Sequence, residues 1–231
     1  MVKKHLKRQQ APVTWKISRK GTKYVSRPSP GKRFKLSMPI SMIFKNLLKY
    51  CKTTKEVKSI LQNKEIIVDE KRRKNHRYPV GLMDVLSIPI SDENYRLLLD
   101  KKGKLNLIKI DKKNTNIKPC KIIGKTKLKG GITQINFLDS RNLRVEEDKN
   151  YSVGDTLVLN IENQKVINHF KLEKGNYILF IGGKNIGSHG KIKKIKGNMI
   201  EVENKEGNKI ISDIKFAYVI GDKNPIIKLF D

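Results

Sequence analysis

Residues 66–86 have the sequence IIVDEKRRKNHRYPVGLMDVL, in which a basic cluster separates two apolar segments. The apolar run at residues 66–68 predicts a short buried strand, because β-branched residues favour strands. Residues 71–77 contain five Lys or Arg side chains and predict an exposed basic turn. An apolar pattern returns at residues 78–86. The stretch therefore predicts two strands joined by a basic turn.

Two helical patterns precede this stretch. Apolar side chains recur three and four positions apart between residues 40 and 51, which predicts an amphipathic helix with one face towards a core. Thr53 and Glu56 have the spacing of a capping box, so a second helix is expected to begin there. The polar side of the first helix carries three lysines: Lys45, Lys49 and Lys52.

Together these residues resemble the ribosomal-protein-four-like RNA-binding motif, a small helix-helix-strand module. The family pattern I-x-V-(D/N)-(G/E)-K is matched at residues 66–71, and the pattern Pro-Val/Ala-Gly-x-x-Asp-x-Ile/Leu at residues 79–86. Glu70 replaces the glycine that usually makes the tight turn. The resemblance implies an RNA-binding module at residues 38–92.

The charge of the chain indicates a polyanionic partner. Its 231 residues include 51 Lys and Arg but only 22 Asp and Glu, a net charge of +29. Residues 1–55 contain sixteen Lys and Arg and no acidic residue. Nucleic acid is favoured over an anionic membrane surface, because no long helix with a large apolar face accompanies the charge.

The first 37 residues are strongly basic and broken by proline and glycine, which predicts an arm that RNA orders. Trp15 lies in this arm and is the only tryptophan in the chain. A base stacked on it, or packing against a partner or its own domain, would account for such a residue. A disordered tail is the simpler alternative.

Residues 93–170 have a β pattern. Two strands around Gly103 predict a hairpin, and further strands are expected at residues 120–125, 132–137 and 153–159. Residues 174–192 then carry a run of glycines between apolar segments. This run resembles the KOW element of small five-stranded barrels, which implies a loop whose backbone approaches a partner closely.

Local sequence patterns do not favour nucleotide binding, catalysis or metal binding. Ser188 stands where a Walker loop needs lysine, so a nucleotide-binding loop is not predicted. Asp139 follows leucine as in pseudouridine synthases, but the preceding arginine is missing and a turn residue is the better interpretation. Residues 146–148 are acidic and are interpreted as a solvated turn rather than a magnesium site. The four histidines lie outside metal-ligand spacing.

Cys51 and Cys120 lie far apart without a CxxC pattern, which argues against both a disulfide framework and a zinc site. No apolar run reaches the length of a membrane span, and the basic N-terminus lacks the apolar segment of a signal peptide. Neither a cofactor nor a metal is expected.

The order of these segments resembles the e-type small-subunit ribosomal protein four family of archaea and eukaryotes. The family patterns K-K-H-L-K-R-x-x-A-P-x-x-W, R-P-S-x-G, Y-P-x-G-x-M-D-V and G-G-x-N-x-G-x-x-G are matched at residues 3–15, 27–31, 78–85 and 182–190. The resemblance implies a structural component of the small ribosomal subunit that binds its RNA. The chain ends without the long basic tail of eukaryotic members, so an archaeal source is expected.

The fold class expected is therefore α+β. It comprises a basic N-terminal extension (1–37), the RNA-binding module (38–92), a central β domain (93–170) and a KOW-bearing, SH3-like β-barrel (171–231). Expected partners are small-subunit ribosomal RNA and neighbouring small-subunit proteins in the cytoplasm, with no membrane contact and no homo-oligomer. The alternatives are an RNA-modifying enzyme that uses the same motif and a KOW-type transcription factor.

The predicted RNA contacts combine phosphate binding with base stacking on Trp15, Tyr24 and Tyr78. In the arm the candidate residues are Lys3, Lys4, His5, Lys7, Arg8, Trp15, Lys16, Arg19, Lys20, Lys23, Tyr24, Arg27, Lys32, Arg33 and Lys35. In the module they are Lys45, Lys49, Lys52, Arg72, Arg73, His76, Arg77 and Tyr78. In the glycine loop they are Gly182, Gly183, Lys184, Asn185, Gly187, Gly190 and Lys191.

Overall fold

A computed structural model describes residues 5–146, 151–204 and 206–230. The chain forms two compact units. Unit 1 comprises Met1–Leu98 and Lys104–Thr115, and unit 2 comprises Leu99–Gly103 and Asn116–Asp231. Strands predominate over helices in the described residues, which agrees with an α+β chain. The division into four segments stays a prediction.

The described residues of unit 1 form two short helices and three small sheets. Its strands are β1 (Leu6–Lys7), β2 (Tyr24–Val25), β3 (Ser37–Pro39), β4 (Ile67–Val68), β5 (Lys71–Arg72), β6 (Pro79–Gly81), β7 (Val85–Ile88), β8 (Glu93–Leu99) and β9 (Leu105–Lys109). Its helices are α1 (Ile40–Met42), which continues as a π-helical segment (Ile43–Leu47), and α2 (Thr54–Asn63). Single 3-10 turns lie at Arg8–Gln10, Phe34–Leu36, Pro89–Ser91 and Lys112–Asn114. The sheets pair β1 with β2, β3 with β6, and five strands in the order β5-β4-β7-β8-β9.

The two helices follow from their sequence signals, although the first is shorter than predicted. It ends at Leu47 instead of reaching Cys51, and Lys49 then adopts a left-handed backbone with φ of 59°. The capping box is confirmed, because the Thr53 hydroxyl accepts a hydrogen bond from the Glu56 backbone N–H at 3.2 Å. Cys51 is buried beyond the end of the helix.

The turn that follows lies at Asp69 and Glu70, just before the basic cluster, and is built without glycine. Lys71 and Arg72, predicted as part of the exposed basic turn at residues 71–77, form strand β5 instead. Strand β4 begins at Ile67, one residue later than predicted, and pairs antiparallel with β5. Asp69 and Glu70 connect the two strands with φ values of 48° and 60°. Glu70 therefore takes the left-handed conformation that the family's glycine takes more easily. The Asp69 carboxylate stabilises the turn by accepting a hydrogen bond from the Val85 N–H at 3.0 Å.

In unit 2, the residues that the structure describes form two five-stranded antiparallel sheets. The first consists of β10 (Ile117–Lys127), β11 (Thr133–Phe137), β12 (Asn142–Val145), β13 (Thr156–Asn160) and β14 (Val166–Phe170), in the order β12-β11-β10-β13-β14. The second consists of β15 (Tyr177–Phe180), β16 (His189–Lys196), β17 (Met199–Glu203), β18 (Lys209–Asp213) and β19 (Ala217–Gly221), in the order β18-β17-β16-β15-β19. Short 3-10 turns lie at Lys129–Gly131 and Ile214–Phe216.

Period-two alternation determines which side chains of these sheets are buried. In β11 the side chains of Thr133, Ile135 and Phe137 are buried and the two between them are partly exposed. Val158 and Phe170 of the first sheet pack in one cluster with apolar side chains of the second sheet. The two sheets of unit 2 therefore share a core.

Candidate nucleic-acid interface

A concave groove of about 900 Å³ lies on unit 1. It brings together eight of the predicted RNA-binding residues, which come from the arm, from the helical segment and from the basic turn. These are His5, Arg8, Tyr24, Arg27, Lys45, Lys49, Lys52 and Arg77. We call this concavity the arm–helix groove, and residues more than 50 positions apart in the sequence meet there.

The arm forms one wall of the groove because Trp15 fixes it to unit 1. The Trp15 side chain is 1% exposed, and its indole N–H donates a hydrogen bond to the Ser37 carbonyl at 2.8 Å. Its ring lies 5.7 Å from that of Phe34. The prediction that Trp15 stacks on RNA bases is therefore wrong for this structure, because neither face of the ring is accessible. Trp15 instead packs against its own domain, which was the other possibility that the sequence indicated.

Two more contacts hold the arm in place. The Lys32 ammonium forms an ion pair with the carboxylate of Asp84, which also accepts a hydrogen bond from the Gly81 N–H at 2.7 Å. The Leu105 N–H donates to the Thr14 carbonyl at 2.6 Å. The arm was expected to be ordered by RNA, but here it is packed by its own side chains and backbone. Lys3 and Lys4 lie outside the described residues.

The arm–helix groove carries a concentrated positive charge. Six Lys or Arg side chains line it, and Asp and Glu are absent from the described residues of its lining. Burial lowers the pKa of the Lys45 ammonium, and the Arg8 guanidinium lowers it further. Burial also lowers the pKa of His76, with added repulsion from Lys58, Arg77 and Lys45. Like charges this close favour an anion between them.

Arg8 and Tyr24 shape the part of the groove that the arm contributes. The Arg8 guanidinium donates to the Thr22 carbonyl at 2.7 Å and to the Ser18 carbonyl at 2.9 Å, so it also holds the arm's own turn. The Tyr24 side chain is 50% exposed, and its ring meets that of His5 edge to face at 5.4 Å. Tyr24 is therefore an aromatic surface that remains accessible.

In the basic turn the cations cover an aromatic ring. The Arg73 guanidinium lies 4.2 Å from the centre of the Tyr78 ring, and the Lys32 ammonium lies 5.7 Å from it. Tyr78 is half-buried beneath them, so it offers less surface for stacking than Tyr24. The Arg77 guanidinium donates to the Arg27 carbonyl at 3.0 Å, which joins this turn to the arm.

The remaining cations predicted in unit 1 are exposed but lie outside the groove lining. They are Lys7, Lys16, Arg19, Lys20, Lys23, Arg33, Lys35 and Arg72. Arg19 uses its guanidinium partly within the arm, where it donates to the Ala11 carbonyl at 3.2 Å. The others add exposed positive charge to unit 1.

The glycine loop of unit 2 differs from its prediction. The Gly187 backbone has a φ of +87°, and a Cβ added there would lie 2.0 Å from the Asp100 carbonyl oxygen. A Cβ at Gly190 would lie 2.2 Å from the Glu203 carbonyl oxygen. Both residues are buried, so the close approach that glycine permits is to the chain itself and not to a partner.

Other predicted residues of this loop also make internal contacts. The Asn185 amide donates to the Ile211 carbonyl at 2.9 Å, and Cβ atoms at Gly182 and Gly183 would meet the Phe216 ring. The lysines Lys184 and Lys191 remain exposed and can contact phosphate. The geometry therefore allows RNA contact through the exposed side chains of Lys184 and Lys191, and not through the backbone of the loop.

Asp139, weighed as a catalytic carboxylate, has a structural role. Its carboxylate lies 3.0 Å from the buried Lys118 ammonium and 3.2 Å from the Arg141 guanidinium. Burial raises the pKa of Asp139, but these two cations outweigh it and hold the pKa below its usual value. The carboxylate is thus ionised and fully engaged, which does not suit a nucleophile or general base.

Of the acidic triplet at residues 146–148, only Glu146 is described, and it is exposed. Across residues 5–146, 151–204 and 206–230, no three His, Cys, Asp or Glu side chains are arranged to hold a metal ion. Within the same ranges, none of the helices has the length and apolar character needed to cross a bilayer.

Seven residues that line the arm–helix groove were not predicted from the sequence. They are Thr22, Val25, Ser26, Met42, Asn46, Cys51 and Thr54. The Lys45 ammonium donates to the Thr54 hydroxyl at 3.2 Å, which positions the lysine against the wall. The sequence signal that could have indicated Asn46 is its position next to Lys45, off the apolar stripe of the predicted helix.

Two family models match the chain. The model described as ribosomal family S4e matches residues 91–166, and the model described as the RS4NT domain matches residues 2–31. The second match coincides with most of the arm.

Curated relatives match almost the full length. The chain is 39% identical to small ribosomal subunit protein eS4 of Methanocaldococcus jannaschii, with 98% of each chain covered. It is also 39% identical to the protein of that name from Methanosphaera stadtmanae, covering 98% of this chain and 96% of the relative. The crystal structure of the 30S ribosomal protein S4e from Thermoplasma acidophilum superposes with a TM-score of 0.70 at 27% identity, covering 81% of this chain and 96% of that one.

Proposed function

The chain belongs to the ribosomal protein family S4e, and on that premise we propose that it is a structural constituent of the small ribosomal subunit that binds the subunit's RNA. The observation that carries this conclusion is the similarity to archaeal small-subunit proteins over 98% of the chain. The chain accordingly supports translation as a structural protein and is not an enzyme.

The arm–helix groove supplies the main RNA contact in this proposal. Its cations would bind phosphate oxygens and release the counterions that surround RNA. Because the arm is already packed against unit 1 through Trp15 and Lys32, the groove does not need RNA to form its walls. Exposed arm cations, with Lys184 and Lys191 in unit 2, would add contacts that position the protein without reading sequence.

The strands β15–β19 are proposed to be the KOW-bearing, SH3-like barrel. Five antiparallel strands with the glycine segment between β15 and β16 support this assignment. Neighbouring small-subunit proteins are the expected protein partners, on cytoplasmic ribosomes of an archaeon, and no homo-oligomer is expected. These assignments follow from the family.

Sedimentation of the full-length protein with purified archaeal small subunits tests the function. In about 0.1 M salt the protein should travel with the subunit, and it should be released as the salt concentration rises. If six to ten phosphates are contacted, the affinity for naked small-subunit RNA should fall about a thousand-fold or more between about 50 and 200 mM salt, by analogy with duplex DNA. Protein that stays at the top of the gradient at every salt concentration would contradict the proposal.

A further inference from the structure

The lining of the arm–helix groove is more varied than phosphate binding requires. Met42 and Cys51 form buried apolar parts of its surface, and Tyr24 presents a half-exposed ring. Burial raises the pKa of the Cys51 thiol, so this part of the surface is uncharged near neutral pH. A surface that contacted only phosphates would be polar and cationic throughout. An apolar and aromatic portion is what a nucleobase contacts.

The shape of the groove points the same way. An RNA duplex presents its phosphates on a convex surface and keeps its bases stacked inside, so it cannot place a planar apolar group into a concavity. The groove holds about 900 Å³, which is ample for a single nucleotide. Its cations come from the arm, the helical segment and the basic turn, so phosphates can be bound from more than one segment of the chain.

Asn46 supplies a group that could recognise a base edge. It is half-buried and lines the groove, and its side-chain amide makes no hydrogen bond to any of the residues the structure describes. An amide offers both donors and an acceptor, which is the pattern that base edges present. Its neighbour Lys45 also lines the groove, and the Lys45 ammonium donates to the Thr54 hydroxyl at 3.2 Å.

We infer that the arm–helix groove receives an unpaired nucleotide of the ribosomal RNA. The base lies against Tyr24 and is contacted by the Asn46 amide, while Lys45, Lys49 and Arg77 hold the adjoining phosphates. This inference rests on the proposed function, and it specifies that the RNA at this site is extruded or bulged instead of continuously paired.

Two RNA hairpins of equal length distinguish these possibilities, one fully paired and one with a single-nucleotide bulge of 2-aminopurine. The full-length protein should bind the bulged hairpin about tenfold more tightly, the range of one stacked base, and the fluorescence of 2-aminopurine should change on binding. Tyr24→Leu and Asn46→Ala should each reduce that preference and leave the affinity for the paired hairpin within about twofold. Tyr24→Phe should retain the preference, because the ring remains.

The matched control is Tyr50→Leu, since Tyr50 is similarly exposed at 47% but does not line the groove. The dependence of affinity on salt should be the same for wild type and Tyr24→Leu, because stacking releases no counterions, and it should be weaker for Lys49→Ala. Equal, salt-dependent binding of both hairpins would overturn the nucleotide site and leave RNA binding intact. Absence of binding to either hairpin and to small-subunit RNA would overturn the proposed function itself.

Discussion

The two units of the chain have similar lengths and use their charges in opposite ways. Unit 1 contains 28 Lys and Arg against 8 Asp and Glu, a formal net charge of +20, whereas unit 2 contains 23 against 14, or +9. In unit 1 the cations of the arm–helix groove face one another without an acid in the described lining. In unit 2 several lysines are engaged within the unit, including Lys118 with Asp139 and Lys121 with the Lys215 carbonyl at 2.9 Å.

This difference shows that net charge alone does not locate an RNA-binding surface. A lysine whose ammonium is buried against a carboxylate contributes to folding and has little left to offer a phosphate. A lysine that faces only other cations adds to a positive electrostatic potential. A bound phosphate reduces that potential, so such a site favours phosphate binding. We therefore expect loss of charge to reduce stability in unit 2 and RNA binding in unit 1.

The largest effect is expected for Asp139→Ala in unit 2. The change leaves the buried Lys118 without its carboxylate, and loss of one partner of a buried ion pair typically costs about 3–5 kcal/mol of the free energy of unfolding. Chemical denaturation of the full-length protein measures it. Glu173→Ala is the control, because its 4.0 Å pair with Lys171 is exposed and should be worth less than about 1 kcal/mol.

Acid titration gives a second measurement for the same pair. Because the pKa of Asp139 is lowered in the folded protein, its stabilisation is complete above the usual carboxyl pKa of 3.8 and is lost as the pH falls through the lower folded value. Asp139→Asn should flatten that part of the stability profile. Equal destabilisation by Asp139→Ala and Glu173→Ala would contradict the role assigned to this charge.

The next largest effect is a difference between the two units in how much their cations contribute to RNA affinity. Replacing Lys45, Lys49, Lys52 and Arg77 together with alanine should weaken binding to small-subunit RNA about a hundredfold in moderate salt, because four phosphate contacts are removed. The matched variant replaces four exposed lysines of unit 2, Lys184, Lys191, Lys194 and Lys196. It should lose less than about tenfold. Similar losses from the two variants would remove the distinction between the units.

A smaller effect tests the glycine loop. Gly187→Ala places a Cβ against the Asp100 carbonyl at a left-handed backbone position, and should destabilise unit 2 by about 2 kcal/mol. Gly175→Ala has a similar φ of +97° but open space around it, so it should cost about 1 kcal/mol or less. Folded Gly187→Ala protein should bind RNA as the wild type does. A selective loss of RNA binding without loss of stability would restore the loop as a docking surface.

The smallest change is expected from Trp15, the single tryptophan of the chain. Its fluorescence in the RNA-free protein should be that of a buried indole, poorly quenched by acrylamide, and should hardly shift when RNA is added, because the ring is already enclosed. Emission typical of exposed indole that moves to shorter wavelength with RNA would show that the arm is ordered by RNA after all. Trp15→Phe protein supplies the background signal.

Local signals predicted the fold well where contacts are local. The capping box at Thr53, the second helix and the hairpin around Gly103 follow from spacing within ten residues or so. The structure departs where long-range packing decides. Trp15 is buried by Ser37 and Phe34 of the arm's far end, and the groove is made by segments that a linear pattern cannot bring together. The glycines of the KOW-like run were expected to approach a partner closely, but Gly187 lies against the carbonyl of Asp100 and Gly190 against that of Glu203.

The backbone contact between Thr14 and Leu105 has a consequence for the synthesis of the protein. About 90 residues separate Trp15 from the strand it sits beside, so translation at about 5–20 residues per second leaves the arm without that neighbour for roughly 5–20 seconds. During that interval a nascent polycation is exposed to every RNA near the exit tunnel. The time during which RNA can bind the arm before it reaches its folded position is therefore set by the sequence distance to Leu105. How quickly the arm itself can fold does not set this time.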